Sequence, residues 1–166
     1  MTKLLQSHNN FLSESSFEVI KNIFFSKYTA WYYRDHQTKD DGFFFGHDIF
    51  LKNLPCSNIY ENLTPLLDKL CIKPQQLINI RANLLLKTQE HNYSDFHIDC
   101  QSNVPFTTAI FYINTNNGGT IFEENNLEIK SEENKVITFD GNFKHKAKSQ
   151  TDTDRRIVIN FNWRNV

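Results

Sequence analysis

The residues here whose types and spacing could do chemistry begin with His97 and Asp99, in Phe96-His97-Ile98-Asp99. In an extended backbone, side chains two apart leave the same face, so this imidazole and this carboxylate point together. His145 stands far downstream, in Phe143-Lys144-His145-Lys146, ahead of a strand-like run at residues 156–163. Two histidines and a carboxylate on one face fill half of an octahedral metal's positions and leave the others open, which suits iron(II). A lone His-x-Asp triplet arises often by chance. The metal reading therefore depends on what other elements bring to the same interior.

The last strand-like run brings a cation. If Ile157, Ile159, Phe161 and Trp163 pack beneath helices, alternation sends Arg156, Val158, Asn160 and Asn162 to the opposite face. A buried guanidinium needs an anion from the protein or from a ligand, and its planar fork suits a carboxylate. Arg155 competes for this place, and strand phase favours Arg156. In residues 107–114 the same phase turns Ala109, Phe111 and Ile113 towards the helices and Thr108, Ile110 and Tyr112 inward. The Tyr112 phenol could add a hydrogen bond to the same anion; the alternative is a core tyrosine satisfied elsewhere. Asn83 and Lys87 lie on the inward phase of residues 77–87. Lys144, Lys146 and Lys148 could greet an anionic substrate, although a charge run is more often a solvated face.

These residues must be positioned by the rest of the chain. Phe17, Ile20 and Phe24 recur at helical spacing within residues 14–27, with Val19 and Ile23 widening the stripe and Ser15 or Ser16 as N-cap. Trp31-Tyr32-Tyr33 and Phe43-Phe44-Phe45 flank a polar loop at residues 35–42, and these aromatics are either core strand residues or a wall of the substrate mouth. Residues 57–71 form a second helical pattern through Ile59, Leu63, Leu66, Leu67 and Leu70. Pro65 interrupts it and is expected near the first turn of a new helix. From Gln76 onward the chain is strands and turns. Ile78, Ile80, Ala82, Leu84 and Leu86 share one face, and turns fall at Gly118-Gly119 and Asp140-Gly141-Asn142. Helices gathered at the N-terminus before many short strands predict a mainly β fold, a jelly roll with helices on one outer face.

At 166 residues the sequence suits one domain. A net charge of -1 disfavours nucleic acid as partner, and 14% aromatics, 15 of them Phe, suit a β-rich core. Three cysteines, Cys56, Cys71 and Cys100, form no C-x-x-C pair and read as reduced thiols of a cytosolic protein. No basic-then-apolar leader opens the sequence, and no apolar run approaches the roughly 20 residues of a membrane span. A cytoplasmic location without membrane partners is expected.

Taken together, His97-x-Asp99, residues 107–114 (TTAIFYIN), Gly118-Gly119-Thr120, residues 136–140 (VITFD), His145 and Arg156 resemble the Fe(II)- and 2-oxoglutarate-dependent oxygenase superfamily, in particular its prolyl-4-hydroxylase-like branch. The match runs over residues 77–163, and the Asn10-Phe11-Leu12 opening with its helix is also similar to that branch. The resemblance implies one oxygenase domain over residues 1–166, with a helical and aromatic part at 1–75 and a double-stranded β-helix core at 76–166. It implies His97, Asp99 and His145 as iron ligands, Arg156 as partner of the distal carboxylate of 2-oxoglutarate, and Tyr112 as its assistant. The implied cofactors are Fe(II), 2-oxoglutarate as cosubstrate and O2. The implied reaction is hydroxylation of a C-H bond in a peptide, proline-like, or in a small molecule, with release of succinate and CO2. A jelly-roll binding module without catalysis, and a cupin-like metalloenzyme without 2-oxoglutarate, stand as alternatives.

Overall fold

Alternating side chains decide which way each strand of this protein faces, and helices cover the face they make apolar. The computed structural model describes residues 5–35 and 43–165, so the polar loop expected at residues 35–42 lies, beyond Asp35, outside the described residues. In chain order come β1 (Gln6–His8), α1 (Glu14–Phe25), β2 (Tyr32–Asp35), β3 (Phe43–Leu51), β4 (Leu54–Pro55) and α2 (Thr64–Lys69). After them come β5 (Leu77–Leu86), β6 (Phe106–Tyr112), β7 (Gly119–Phe122), β8 (Glu128–Lys130), β9 (Lys135–Asp140), β10 (His145–Lys148) and β11 (Arg155–Arg164).

The strands form two antiparallel sheets. The larger has the order β1-β9-β6-β11-β5-β3-β2, with β4 beside β3, and the smaller has the order β10-β7-β8. On one face of the large sheet, Ala109, Phe111, Ile157, Ile159 and Phe161 join Phe17, Ile20 and Phe24 of α1 and Leu66 and Leu67 of α2 in one core. On the other face, Ile110, Tyr112, Ile137, Phe139 and Val158 meet Phe122 of the small sheet. The result is a jelly roll with two apolar layers, the expected architecture. Cross-strand pairing of Ile159 with Phe111 and Phe161 with Ala109 locks the phase, because a slip of one residue would exchange the two faces.

Local details differ in places from the sequence expectation. Ser13, and neither Ser15 nor Ser16, caps α1, its hydroxyl accepting from the Ser16 amide at 3.3 Å. The helix ends at Phe25, where Ser26 turns extended. Val19 lies about 200° around the helix from Phe17, which explains why it is 53% exposed instead of widening the buried stripe. Pro65 does start a new helix, entering the first turn of α2 after a 3-10 turn at Tyr60–Leu63. In β5 a register shift against β11 sets Leu77 opposite Trp163 and leaves Ile78 half-buried. Leu86, at the strand end, is exposed. The aromatics divide: Trp31 and Phe45 pack on the core, Tyr33 stacks on Phe43 at 5.5 Å with both half-exposed, and Phe44 turns to the cavity described below. No helix among the described residues is long and apolar enough to cross a membrane.

Candidate active site

Residues 92–97 form no strand of their own and are zipped instead to β10. His97 and His145 exchange two backbone hydrogen bonds of 3.0 Å, the Ser94 amide donates to the Ala147 carbonyl at 3.0 Å, and the Ser149 amide donates to the Asn92 carbonyl at 2.8 Å. The Ala147 amide donates to the Ser94 hydroxyl at 2.9 Å. This lateral pairing brings His97 beside a residue 48 positions later in sequence (145 - 97 = 48). The two imidazole centroids are 4.9 Å apart.

Each imidazole is held by its inner nitrogen. His97 Nδ1 lies 2.8 Å from the Asp95 carbonyl, and His145 Nδ1 lies 3.1 Å from that of Phe143. A carbonyl only accepts, so each Nδ1 carries the proton and each Nε2 is left to coordinate. Asp99 Oδ1 lies 3.4 Å from His145 Nε2 and 3.7 Å from His97 Nε2, and the potential ligand atoms of all three side chains lie within 4.8 Å of one another. The second carboxylate oxygen accepts from Asn160 Nδ2 at 3.1 Å. Burial by itself pushes the Asp99 carboxyl up, but His145, His97 and the Asn160 amide outweigh it and hold it below its ordinary value. Burial draws His145 down, and Asp99 with the Phe143 carbonyl raises it above its ordinary value. Two imidazole nitrogens and one carboxylate converging on one partly buried point suit a divalent transition metal with open positions.

A cavity of about 100 Å³ opens from His97 and His145 and is lined also by Arg156, Thr120, Asn83 and Asn160. Arg156 is 3% exposed. Its Nε donates to Ser131 Oγ at 2.8 Å, its Nη2 to the Gly119 carbonyl at 3.1 Å, and its guanidinium lies 5.8 Å from the Tyr112 ring centroid. None of the ion pairs among the described residues includes it. Burial draws its pKa below the ordinary arginine value, with Tyr112 opposing, yet a guanidinium stays charged throughout the neutral range. A buried cation whose protein partners are all neutral is electrostatically fitted to an anionic ligand. The chain passes closely beneath it: a Cβ on Gly118 would stand 3.0 Å from Arg156 Cδ and 2.7 Å from the Lys148 carbonyl oxygen.

The competing Arg155 turns away, its guanidinium 4.8 Å from the ring centroid of Phe25 on the helical side. Tyr112 is fully buried, and its hydroxyl donates to Thr120 Oγ1 at 2.9 Å. Burial pushes its pKa up to about 12, against the influence of Arg156 and Thr120. Thr120, in the sequence only the end of the Gly118-Gly119-Thr120 motif, reaches the cavity, and Ser131, a polar residue with no sequence signal, contacts Arg156. Asn83 lines the cavity as expected, whereas Lys87 is exposed in an outer groove. That groove, about 280 Å³, runs between Phe43 and Tyr93 and shares Phe44, Leu85, Ser94 and Ala147 with the inner cavity. The basic run around His145 is not a free patch. Lys144 pairs with Glu123 at 3.5 Å, Lys148 pairs with Glu128 at 2.9 Å, and Lys146 lies over the rings of Tyr93 and Phe96.

No protein-family model matches this sequence, and no curated relative does. Solved structures do resemble it. A prolyl hydroxylase from Trichoplax adhaerens, solved with a peptide fragment of the hypoxia inducible factor oxygen degradation domain, gives a TM-score of 0.69 at 15% identity, over 98% of this chain and 84% of that one. The 2OG complex of the viral collagen prolyl hydroxylase of Paramecium Bursaria Chlorella virus-1 gives 0.61 at 12% identity, over 99% and 98%. An oxidoreductase of the 2OG-Fe(II) oxygenase family from Burkholderia pseudomallei gives 0.66 at 12% identity, over 98% and 85%. The fold is that of the 2OG-Fe(II) oxygenases. One fold hosts many chemistries, so the substrate has to be argued from the side chains themselves.

Proposed function

We propose that this protein is an Fe(II)- and 2-oxoglutarate-dependent dioxygenase, one domain over residues 1–166, that hydroxylates a C-H bond of a peptidyl, proline-like, or small-molecule substrate in the cytoplasm. His97, Asp99 and His145 hold the iron. Arg156 holds the distal carboxylate of 2-oxoglutarate, and Tyr112 assists by underlying the guanidinium and fixing Thr120. The observation that carries this reading is the buried Arg156, which has no carboxylate partner among the described residues and shares one cavity with His97 and His145. Bound there, iron and 2-oxoglutarate supply the activation of dioxygen that C-H oxidation needs, with 2-oxoglutarate converted to succinate and CO2.

The chain's share is positioning and exclusion. The carbonyls of Asp95 and Phe143 fix both imidazoles in the coordinating tautomer. Asn160 fixes the carboxylate plane of Asp99. The apolar side chains of Ile110 and Val158, with Phe44 at the outer side, keep water from the cavity wall and strengthen the electrostatic grip of Arg156.

Anaerobic titration of the Fe(II) protein with 2-oxoglutarate tests the reading. A weak visible charge-transfer band is expected, and once O2 is admitted succinate should form slowly in the absence of substrate. Removing one partner of a charge-assisted pair costs about 2 kcal/mol or more. Arg156→Ala should therefore weaken 2-oxoglutarate binding about thirtyfold. Unchanged affinity would favour a metalloenzyme that does not use 2-oxoglutarate.

A further inference from the structure

The outer groove beside the metal site has no part in holding iron or 2-oxoglutarate, yet its walls are apolar and open. Phe43, Leu86 and Tyr93 all line it at 50%, 49% and 48% exposure, around a volume of about 280 Å³. Large apolar side chains gathered half-exposed around one depression mark a binding surface. The groove is continuous with the inner cavity, because Phe44, Leu85, Ser94 and Ala147 line both. A molecule filling the groove therefore turns its inner edge to the cavity that His97 and His145 line.

The wall rings are fixed before any ligand arrives. Tyr33 stacks on Phe43 with centroids 5.5 Å apart and planes at 25°, and Phe45 meets Phe43 edge-on at 5.9 Å. Lys146 Nζ lies 5.2 Å from the Tyr93 centroid. Rings already held in place accept a flat ligand with little further loss of entropy.

Most polar groups of the lining are already bonded to the protein. Ser94 Oγ accepts from the Ala147 amide, Ser149 Oγ accepts from the Asn92 amide, and Thr88 Oγ1 lies 2.8 Å from Ser149 Oγ. Two side chains remain: the Lys87 ammonium and the Asn92 carboxamide make no hydrogen bond or ion pair among the described residues. Both are exposed, and no carboxylate is among the lining residues. The free polar chemistry of the groove is thus one cation and one amide, which together call for an anionic oxygen.

We propose that the groove takes the substrate as an aromatic acid, its ring against Phe43 and Tyr93 and its carboxylate or phosphate at Lys87 and Asn92. Pockets for drug-sized ligands hold about 300–1,000 Å³, so this smaller groove suits one ring or two fused rings. The assignment rests on the oxygenase reading for the reaction: one atom of O2 enters a C-H bond at the inner edge of the ligand, and the other leaves in succinate as 2-oxoglutarate loses CO2. Phe43 and Lys87 become specificity-determining residues, and neither lines the inner cavity given to 2-oxoglutarate.

The test uses the full chain loaded with redox-inert Mn(II) and saturating 2-oxoglutarate. Ligand-observed saturation-transfer NMR is run against aromatic carboxylates (benzoate, phenylacetate, naphthoate), aryl phosphates (phenyl and naphthyl phosphate), capped tripeptide amides, and monosaccharides. Binding from one of the two aromatic-acid pools is expected, and which pool responds separates carboxylate from phosphate. The hit should bind at least threefold more weakly to Lys87→Gln and at least fivefold more weakly to Phe43→Ala, with 2-oxoglutarate affinity unchanged in both. A comparison that needs no variant uses the neutral counterpart of the hit, its primary amide or its parent alcohol, which should bind the wild-type protein at least threefold more weakly than the acid. Binding only from the tripeptide or sugar pools, binding from no pool, a neutral counterpart that binds as well as the acid, or a hit whose affinity either variant preserves would overturn the assignment. Failure of the wild-type protein to bind Mn(II) with 2-oxoglutarate overturns the oxygenase reading instead, and aromatic-acid binding lost in both variants would stand regardless.

Discussion

Asn160 shows how a neutral side chain can set the properties of a charged one. Its amide donates to Asp99 Oδ2, while Oδ1 faces the two histidine Nε2 atoms, so the carboxylate presents one oxygen to the metal position. Partners behind a ligand of this kind change metal affinity by about 10- to 100-fold. Asn160→Leu should thus weaken Ni(II) or Mn(II) binding by about tenfold in a chelator competition, with the fold intact by circular dichroism. Tyr112 gives a second prediction at this scale. Its phenol titrates near 12 in the folded protein against about 10 in an unfolded chain. The unfolded state ionises first, so this tyrosine's contribution is whole below about pH 10 and is lost as pH rises towards 12. An absorbance titration at alkaline pH should find one late-ionising tyrosine among the six. In Tyr112→Phe that late step should vanish.

The element that matters most is the connection between β10 and the segment before Asp99. That segment has few apolar contacts of its own and depends on lateral bonds to β10. On its outer side Lys146 Nζ lies 4.5 Å from the Phe96 centroid and 5.2 Å from that of Tyr93. Two such contacts clamp the segment with about 0.5–1 kcal/mol each. Lys146→Met keeps the aliphatic packing and removes the charge. It is expected to speed metal loss to a chelator about threefold to tenfold, whereas Lys146→Arg retains the clamp and stays near wild type. The sequence showed only a basic triplet around His145, because the acidic and aromatic partners that occupy it come from Glu123 just after β7, from β8 and from the 93–96 segment.

At the scale of the whole molecule, the site joins parts of the chain far apart: His97 and Asp99 before β6, His145 in β10 and Arg156 in β11. A ligand that binds only where these meet stabilises the folded state by mass action. At about a hundred times Kd it adds about 2.7 kcal/mol, worth about 5–10 °C in Tm for a chain of this size. Mn(II) with 2-oxoglutarate should raise Tm by that amount and EDTA should reverse it. The metal contribution should disappear in Asp99→Asn, and at the same ligand concentration the 2-oxoglutarate contribution should fall to about 0.9 kcal/mol in Arg156→Ala.

Much of this arrangement was legible before any tertiary contact. Alternation along residues 107–114 and 156–163 is a local, period-two property, so it told which side chains leave the sheet together and favoured Arg156 over Arg155. The same period paired His97 with Asp99, and the proline in the second helical stretch marked where a new helix begins. What the sequence left open depends on which strands lie side by side. Tyr112 was offered as a direct partner of the anion, yet its hydroxyl is taken by Thr120, a contact set by the approach of β7 to β6. Ser131 meets Arg156 across the two sheets. Asn160 and Asn83 reach one cavity only because β11 and β5 are neighbours in that register. Local periodicity determines the face on which a side chain emerges; only long-range pairing decides what it meets there, because register is fixed by contacts between residues far apart in the chain.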